Sequence, residues 1–238
     1  MDAETAALFP DEFEDGGAIG QIPKGWQVRM LGDFIDIKHG YAFKGEFFRD
    51  QPPGDILLTP GNFAIGGGFK DDKLKYYIGA VPEEFVLNKG DLLVTMTDLS
   101  KLGDTLGYPA IVPAEQECRY LHNQRLGKVL IKNETTVGKL YLYYLLCTNE
   151  YRHEILAGAT GTTVKHTSPG RIQAFRFCTP SADLSLKFDA IVGSLFEKMS
   201  LNDNEKQFLI NTRDALLPKL LSGEIRVKEA EKIVAEVA

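Results

Sequence analysis

The sequence predicts an α+β protein: a sheet-containing globular domain followed by one long helix that forms an antiparallel pair with a partner helix. Three observations predict it. Between Ile22 and Pro180, short apolar runs alternate with turn residues, as in a β-rich domain. Inside that region one stretch carries large apolar groups at three- and four-residue steps, the spacing of a helix buried against a sheet. Beyond it, Phe188, Leu195, Leu209 and Leu216 recur every seven residues with Asn202 in the polar slot, which lays a single stripe along a helix.

Residues 1–20 hold six acids, no base and little apolar periodicity, so an acidic flexible tail is expected there. Residues 21–180 form the globular domain. Its strand-like runs are WQVRM from Trp26, DILLTPGN from Asp55, EFVLNKGDLLVTM from Glu84, YPAIVPA from Tyr108 and RLGKVLIKN from Arg125. Gly66, Gly67 and Gly68 read as a flexible hairpin tip. The segment from Thr136 to Leu156 places Leu140, Tyr143, Tyr144, Cys147, Tyr151 and Ile155 on one helical face. A long spacer or dimerisation helix spans residues 181–223. It is expected to kink or break at Pro218 and to close at Gly223, which can adopt the left-handed conformation. Residues 224–238 give a short amphipathic helix with Val227, Ala230, Ile233, Val234 and Val237 on one side.

The second apolar slot of the long helix is weak: Ile191 is followed by Lys198, Glu205 and Thr212, which rules out the seam of a long parallel zipper and favours a shorter antiparallel pairing. A helix of this kind can also pack on its own domain. Its length argues against that, as does Asn202, which would be costly in an apolar core unless a partner satisfied it.

At 238 residues and 44% hydrophobic content, the chain holds one domain and an elongated helical part. Cys118, Cys147 and Cys178 are odd in number and widely spaced, and they read as mostly buried thiols of a cytoplasmic protein rather than as a zinc or redox pair. No apolar run reaches the ~20 residues of a membrane span, so no membrane partner is expected. Net charge is −6, but six of the 33 acids lie in the first twenty residues, leaving 27 acids against 27 bases. A balanced domain can gather cations on one face, although its isolated affinity for a polyanion would be modest.

No catalytic constellation is recognisable. An amino-methyltransferase needs a glycine-rich cofactor loop and an Asn/Asp-Pro-Pro-aromatic tetrapeptide, and the only Pro-Pro is Pro52-Pro53 inside QPPG. A restriction-type nuclease commonly carries Glu-x-Lys beside clustered carboxylates, and that triplet is absent. Asp36-Ile-Lys38 and Asp71-Asp-Lys73 are short matches of a kind common by chance. His153-Glu154 lacks the second histidine of a metalloprotease site. No cofactor and no metal are expected.

Polar, basic and aromatic groups gather instead in loops. Lys38, Tyr41 and Lys44 lie in KHGYAFKGEFFR, whose aromatics serve equally well as core anchors. Lys70 and Lys73 follow the glycine tip. His122, Asn123, Gln124 and Arg125 have the chemistry of base reading, since Asn and Gln pair bidentately with adenine and Arg with guanine; an Asn here could equally cap a turn. Lys165, His166 and Arg171 lie in a polar loop with Thr162, Thr163, Thr167 and Ser168 as hydroxyl donors to phosphate.

Seven strings carry a family resemblance in order: IPKGWQVRMLGDF from Ile22, GYAFKGEFF, TPGN, GDLLVTMTDLSKLG, LHNQRLGKVLI, TGTTVKHTSPGRIQAF and LLPKLLSGEIRV ending at Val227. Together they resemble the specificity subunit of type I restriction-modification systems, in a half-length form with a single target recognition domain. The resemblance implies a non-catalytic DNA-recognition role, in which each recognition domain reads half of a bipartite site and paired helices set the distance between halves. It implies double-stranded DNA, methyltransferase subunits and a second copy of the chain as partners, with a restriction subunit where the system carries one. FCTPSADLSLKF replaces the Pro-Pro and Glu-Gln that often precede the helix in relatives. An alternative class stays open, a catalytically silent interaction protein that reads no DNA itself.

Overall fold

The strand-like runs fold as strands in the computed structural model, which describes residues 2–113 and 119–237, with the side chains of 203, 204, 207 and 233–237 outside the description. The expectations for Cys118 and for the side chains of Ile233, Val234 and Val237 therefore lie outside the described residues. The chain runs through β1 (Phe13–Asp15), β2 (Gln21–Pro23), β3 (Gln27–Met30), β4 (Ile35–His39), β5 (Phe48–Arg49), β6 (Asp55–Leu58), β7 (Tyr76–Tyr77) and β8 (Val86–Leu87). It continues through β9 (Leu92–Thr95), β10 (Thr97–Asp98), β11 (Pro109–Ile111), β12 (Tyr120–His122), β13 (Leu126–Ile131), β14 (Lys165–His166) and β15 (Arg176–Thr179). The helices are α1 (Ala3–Ala6), α2 (Lys139–Leu145), α3 (Asn149–Ala157), α4 (Pro169–Gln173), α5 (Ala182–Leu221) and α6 (Val227–Val237). The architecture is α+β.

Two sheets share the core. One is antiparallel, in the order β11-β9-β13-β4; the other is mixed, in the order β5-β7-β6-β12-β8, with β12 parallel to β6. Strand alternation explains how both faces of the mixed sheet are used. Ile56, Leu58 and Tyr120 join Leu93, Ala110 and Leu126 of the antiparallel sheet in one cluster, whereas Leu57 and Leu121 point the other way, onto Phe43 and Tyr77. Burying a side chain of this size contributes about 1.5 to 3 kcal/mol, which decides the role of Phe43 and, with Phe47 packed beside it, makes the 38–49 segment a core anchor at those positions.

Four expectations are corrected. The acidic segment 1–20 is not featureless, because β1 and β2 form a hairpin in which Gly17 and Gly20 take positive φ, Glu12 pairs with Lys24 at 2.6 Å and Glu14 accepts the Gly25 N–H at 2.8 Å. The single helix expected over 136–156 is two: Thr148 turns extended and its Oγ1 caps α3 by accepting the Tyr151 N–H at 3.4 Å, while Tyr144 is left exposed. Of the kink or break expected at Pro218 the break does not occur, since the proline lies inside α5, which runs on to Leu221; Gly223 beyond it takes the expected left-handed conformation at φ +76°. The glycine tip is also packed, since a Cβ at Gly67 would lie 2.6 Å from Cys147 Sγ.

The chain divides into two compact units, Met1–Ala190 and Ile191–Ala238, later than the boundary expected at residue 180. The first two turns of α5 account for the difference, since they pack within the first unit. Asp189 accepts the N–H groups of Leu140 and Tyr141 at 3.0 and 2.7 Å, and Ser185 Oγ accepts that of Gly138 at 3.0 Å, so side chains of α5 cap α2.

Candidate nucleic-acid interface

Backbone hydrogen bonds bring three of the predicted segments side by side. The Tyr41 N–H donates to His122 O at 2.8 Å and the Gln124 N–H to Tyr41 O at 2.9 Å, which seats the 122–125 turn against the end of β4. Gly40 makes this approach possible, because a Cβ there would sit 2.2 Å from Asn123 O. The Met96 N–H donates to Arg125 O at 2.9 Å, and the Thr167 N–H donates to Met96 O at 3.0 Å. Pairing of β10 with β14 then sets Thr97 opposite His166 and Asp98 opposite Lys165. Tyr41, Gln124, Arg125, Lys165 and His166 thus belong to adjoining backbone segments.

Within the turn, the first two residues and the last two have opposite roles. His122 is 1% exposed and its Nε2 lies 3.0 Å from Leu126 O. Burial, augmented by the nearby Lys128 and Lys38 charges and opposed by the Leu126 carbonyl, depresses its pKa to about 4. Asn123 is also buried, and its Oδ1 accepts the Arg125 N–H at 2.9 Å in an Asx turn. These two residues build the turn and are enclosed by it, a correction to their expected role as base readers. Gln124 and Arg125 are exposed. The Gln124 amide can present a donor and an acceptor side by side, and the Arg125 guanidinium paired donors, to a base edge.

Other candidates divide in the same way. Lys38 is engaged, with its ammonium 3.0 Å from Glu84 Oε2 and 4.9 Å from the Phe85 ring centroid, so its charge is already answered within the fold. Tyr41 packs edge-on to Phe43 yet remains partly exposed, and Lys44 is exposed. Because β6 and β12 run parallel, the Thr59–Asn62 turn leaves the mixed sheet at the same end as the 122–125 turn. Asn62 Nδ2 donates to Lys70 O at 3.2 Å and Lys73 O at 3.4 Å, placing both lysines on that turn, with Lys70 3.7 Å from Asp72. Arg171 is exposed, although its Nη1 lies close over Gly158, where a Cβ would meet it at 2.4 Å. Thr167 Oγ1 is buried and so is not presented outward, whereas Ser168, whose Oγ caps α4 by accepting the Arg171 N–H at 3.3 Å, remains exposed.

Sequence reasoning missed the brace beside this surface. Asp98 is buried; its Oδ1 accepts the Ser100 N–H at 2.6 Å and its Oδ2 accepts the N–H and hydroxyl of Thr105 at 2.5 and 2.7 Å. Burial alone would raise this carboxyl, but the hydrogen bonds from Thr105 and Ser100 hold it below the ordinary carboxylate range. From α3, the Arg152 guanidinium donates to the carbonyls of Gly103 and Leu106 and stacks 4.6 Å from the Tyr108 centroid. The available signal was Asp98 two residues before Ser100, the spacing of an Asx turn. Among the described residues no group of three or more His, Cys, Asp or Glu could hold a metal ion, and no helix is long and apolar enough to cross a membrane.

Of the helix stripe, Phe188 belongs to the first unit, 6.0 and 5.8 Å from the Tyr141 and Tyr144 rings, which corrects its place in a partner contact. In the second unit Leu195 and Leu209 are 57% and 54% exposed, Asn202 is exposed, and Leu216 lines a hollow of about 480 Å³ between α5 and α6. Ile191, Met199, Leu201 and Phe208 are exposed as well.

Residues 23–183 match the family model described as the type I restriction modification DNA specificity domain. The HindI specificity subunit of Haemophilus influenzae is 28% identical over 241 aligned positions, covering 94% of this chain and 48% of that protein. The MjaIX specificity subunit of Methanocaldococcus jannaschii is 26% identical over 220 positions, covering 88% and 46%. The chain therefore spans about half the length of these curated relatives. In fold it resembles the crystal structure of a type I restriction-modification S subunit from M. genitalium, with a TM-score of 0.57 at 16% identity, over 83% of this chain and 46% of that one.

Proposed function

Because the chain belongs to the family of type I restriction-modification DNA specificity domains, we propose that it reads one half of a bipartite DNA site and directs adenine methyltransferase subunits to it, together with a restriction subunit where one is present. The observation that carries this reading is the hydrogen-bonded adjacency of Tyr41, the Gln124–Arg125 turn and the Lys165–His166 strand, which lines up base-edge chemistry with phosphate-binding cations. Catalysis falls to the partner subunits. Two copies associate through antiparallel α5 helices, with Leu195, Asn202, Leu209 and Leu216 in or beside the contact, because a helix with an exposed apolar stripe gains stability only when that stripe is covered. A two-fold pair presents two identical recognition surfaces in opposite orientation, so the site is a palindrome of two half-sites around a non-specific spacer.

The test is reconstitution. The purified chain, supplied with S-adenosylmethionine and duplex DNA, is expected to transfer no methyl group, and adding its cognate methyltransferase subunits is expected to give methylation at one motif. Methyl transfer by the chain alone, or methylation without sequence preference in the reconstituted complex, would reject the assignment.

A further inference from the structure

The 98–107 loop combines three features that do not serve the core. Its base is rigid: Asp98, Ser100, Thr105 and Arg152 fix its backbone, the Asp104 N–H donates to Ser100 Oγ at 2.7 Å, and Gly103 and Gly107 take positive φ at +69° and +82°. Its tip is apolar and exposed, with Leu99 61% and Leu102 79% accessible and Lys101 exposed between them. Its root is shared with the candidate surface, since Asp98 pairs with Lys165 across β10 and β14 and a Cβ at Gly103 would lie 3.5 Å from Lys165 Cγ. Burying a carboxylate to shape a loop is less favourable than filling the same space with an apolar residue. Holding two leucines in water adds nothing to folding. A fixed shape with an apolar tip contributes when something lands on it, because the ordering cost has already been met.

We propose that the Leu99–Leu102 tip is a second DNA-contacting element, in which the two leucines press against deoxyribose and base edges while Lys101 and Lys165 meet flanking phosphates. Charge favours a duplex over a protein surface as the occupant. An ammonium between two leucines would be desolvated at cost in an apolar protein pocket, whereas on DNA apolar contact and phosphate alternate at that scale. This inference rests on the recognition reading above, but it assigns the loop a sequence-tolerant contact distinct from reading by Gln124 and Arg125.

The experiment uses the full chain assembled with its methyltransferase subunits on a fluorescent duplex bearing its methylated motif. Leu102→p-benzoylphenylalanine is expected to photocrosslink to a DNA strand. The double variant Leu99→Ala, Leu102→Ala is expected to bind specific and scrambled duplexes about tenfold more weakly alike, with assembly and thermal unfolding unchanged. Crosslinking to a methyltransferase subunit, absence of a DNA crosslink, or unaltered affinity of the double variant would overturn the proposal. A complex that crosslinks to DNA through position 102 yet shows no preference for the methylated motif would refute the recognition reading and leave this contact standing.

Discussion

His122 is where pH reaches the fold. Its imidazole stays neutral in the folded chain down to about pH 4, while the unfolded chain protonates it from about 6.5. The stability it confers is therefore complete above pH 6.5 and is lost as pH falls toward 4, at most on the order of 3 kcal/mol. Denaturant unfolding at pH 7 and pH 4.5 should show a smaller loss for His122→Gln than for the unmodified chain, and equal losses would remove His122 from the account. Gln124 and Arg125, further along the same turn, face outward, and a different kind of effect is expected there. Gln124→Ala or Arg125→Ala should relax discrimination at one base position by ~1 to 3 kcal/mol, whereas Lys70→Ala or Lys73→Ala should weaken all sequences similarly. Methylome sequencing of each variant decides: an unchanged motif after both turn substitutions would move the reading surface elsewhere.

At the scale of elements, the strands were legible because alternation and turn residues are local signals: DILL and LLVT lie where the apolar runs place them. The α2–α3 break was not, because Leu140 to Ile155 keep helical spacing across Thr148, and a single capping hydroxyl decides the matter. Pairing between distant segments was out of reach altogether. That Met96 joins Arg125 to Thr167, or that Asp189 caps α2, depends on contacts 29 or more residues apart in sequence, on which periodicity is silent. The candidate site was legible as a set of loops but not as a surface, and burial separated His122 and Asn123 from Gln124 and Arg125 only once the turn was built. Helix α5 shows the same limit, since Phe188 fits the heptad stripe and yet packs on Tyr141 and Tyr144. Leu209 lies well beyond that anchored root and is exposed. Leu209→Lys should shift sedimentation from dimer to monomer while near-ultraviolet circular dichroism of the recognition unit stays unchanged; a monomer for the unmodified chain at roughly tens of micromolar, where even a small transient interface is populated, would reject the helix pair.

For the whole molecule, the proposed pairing turns helix length into a measurement on DNA. If two recognition surfaces are held apart by antiparallel α5 helices, one heptad inserted between Leu195 and Leu209 keeps the apolar stripe in phase and lengthens each helix by roughly 10 Å at ~1.5 Å per residue. With the surfaces displaced along the duplex and no compensating rotation, that length corresponds to about 3 additional base pairs at ~3.4 Å each. The half-sites should stay as they were, because Gln124, Arg125 and the Lys165–His166 strand lie in the unit that ends at Ala190 and the insertion falls in the other. Methylome sequencing of an active insertion variant would report the two quantities separately. A longer spacer with unchanged half-sites is the expected result. An unchanged spacer would show that the helix is not the ruler, and a non-palindromic motif for the unmodified chain would mean that an unequal partner, rather than a second copy, supplies the other half of the reading.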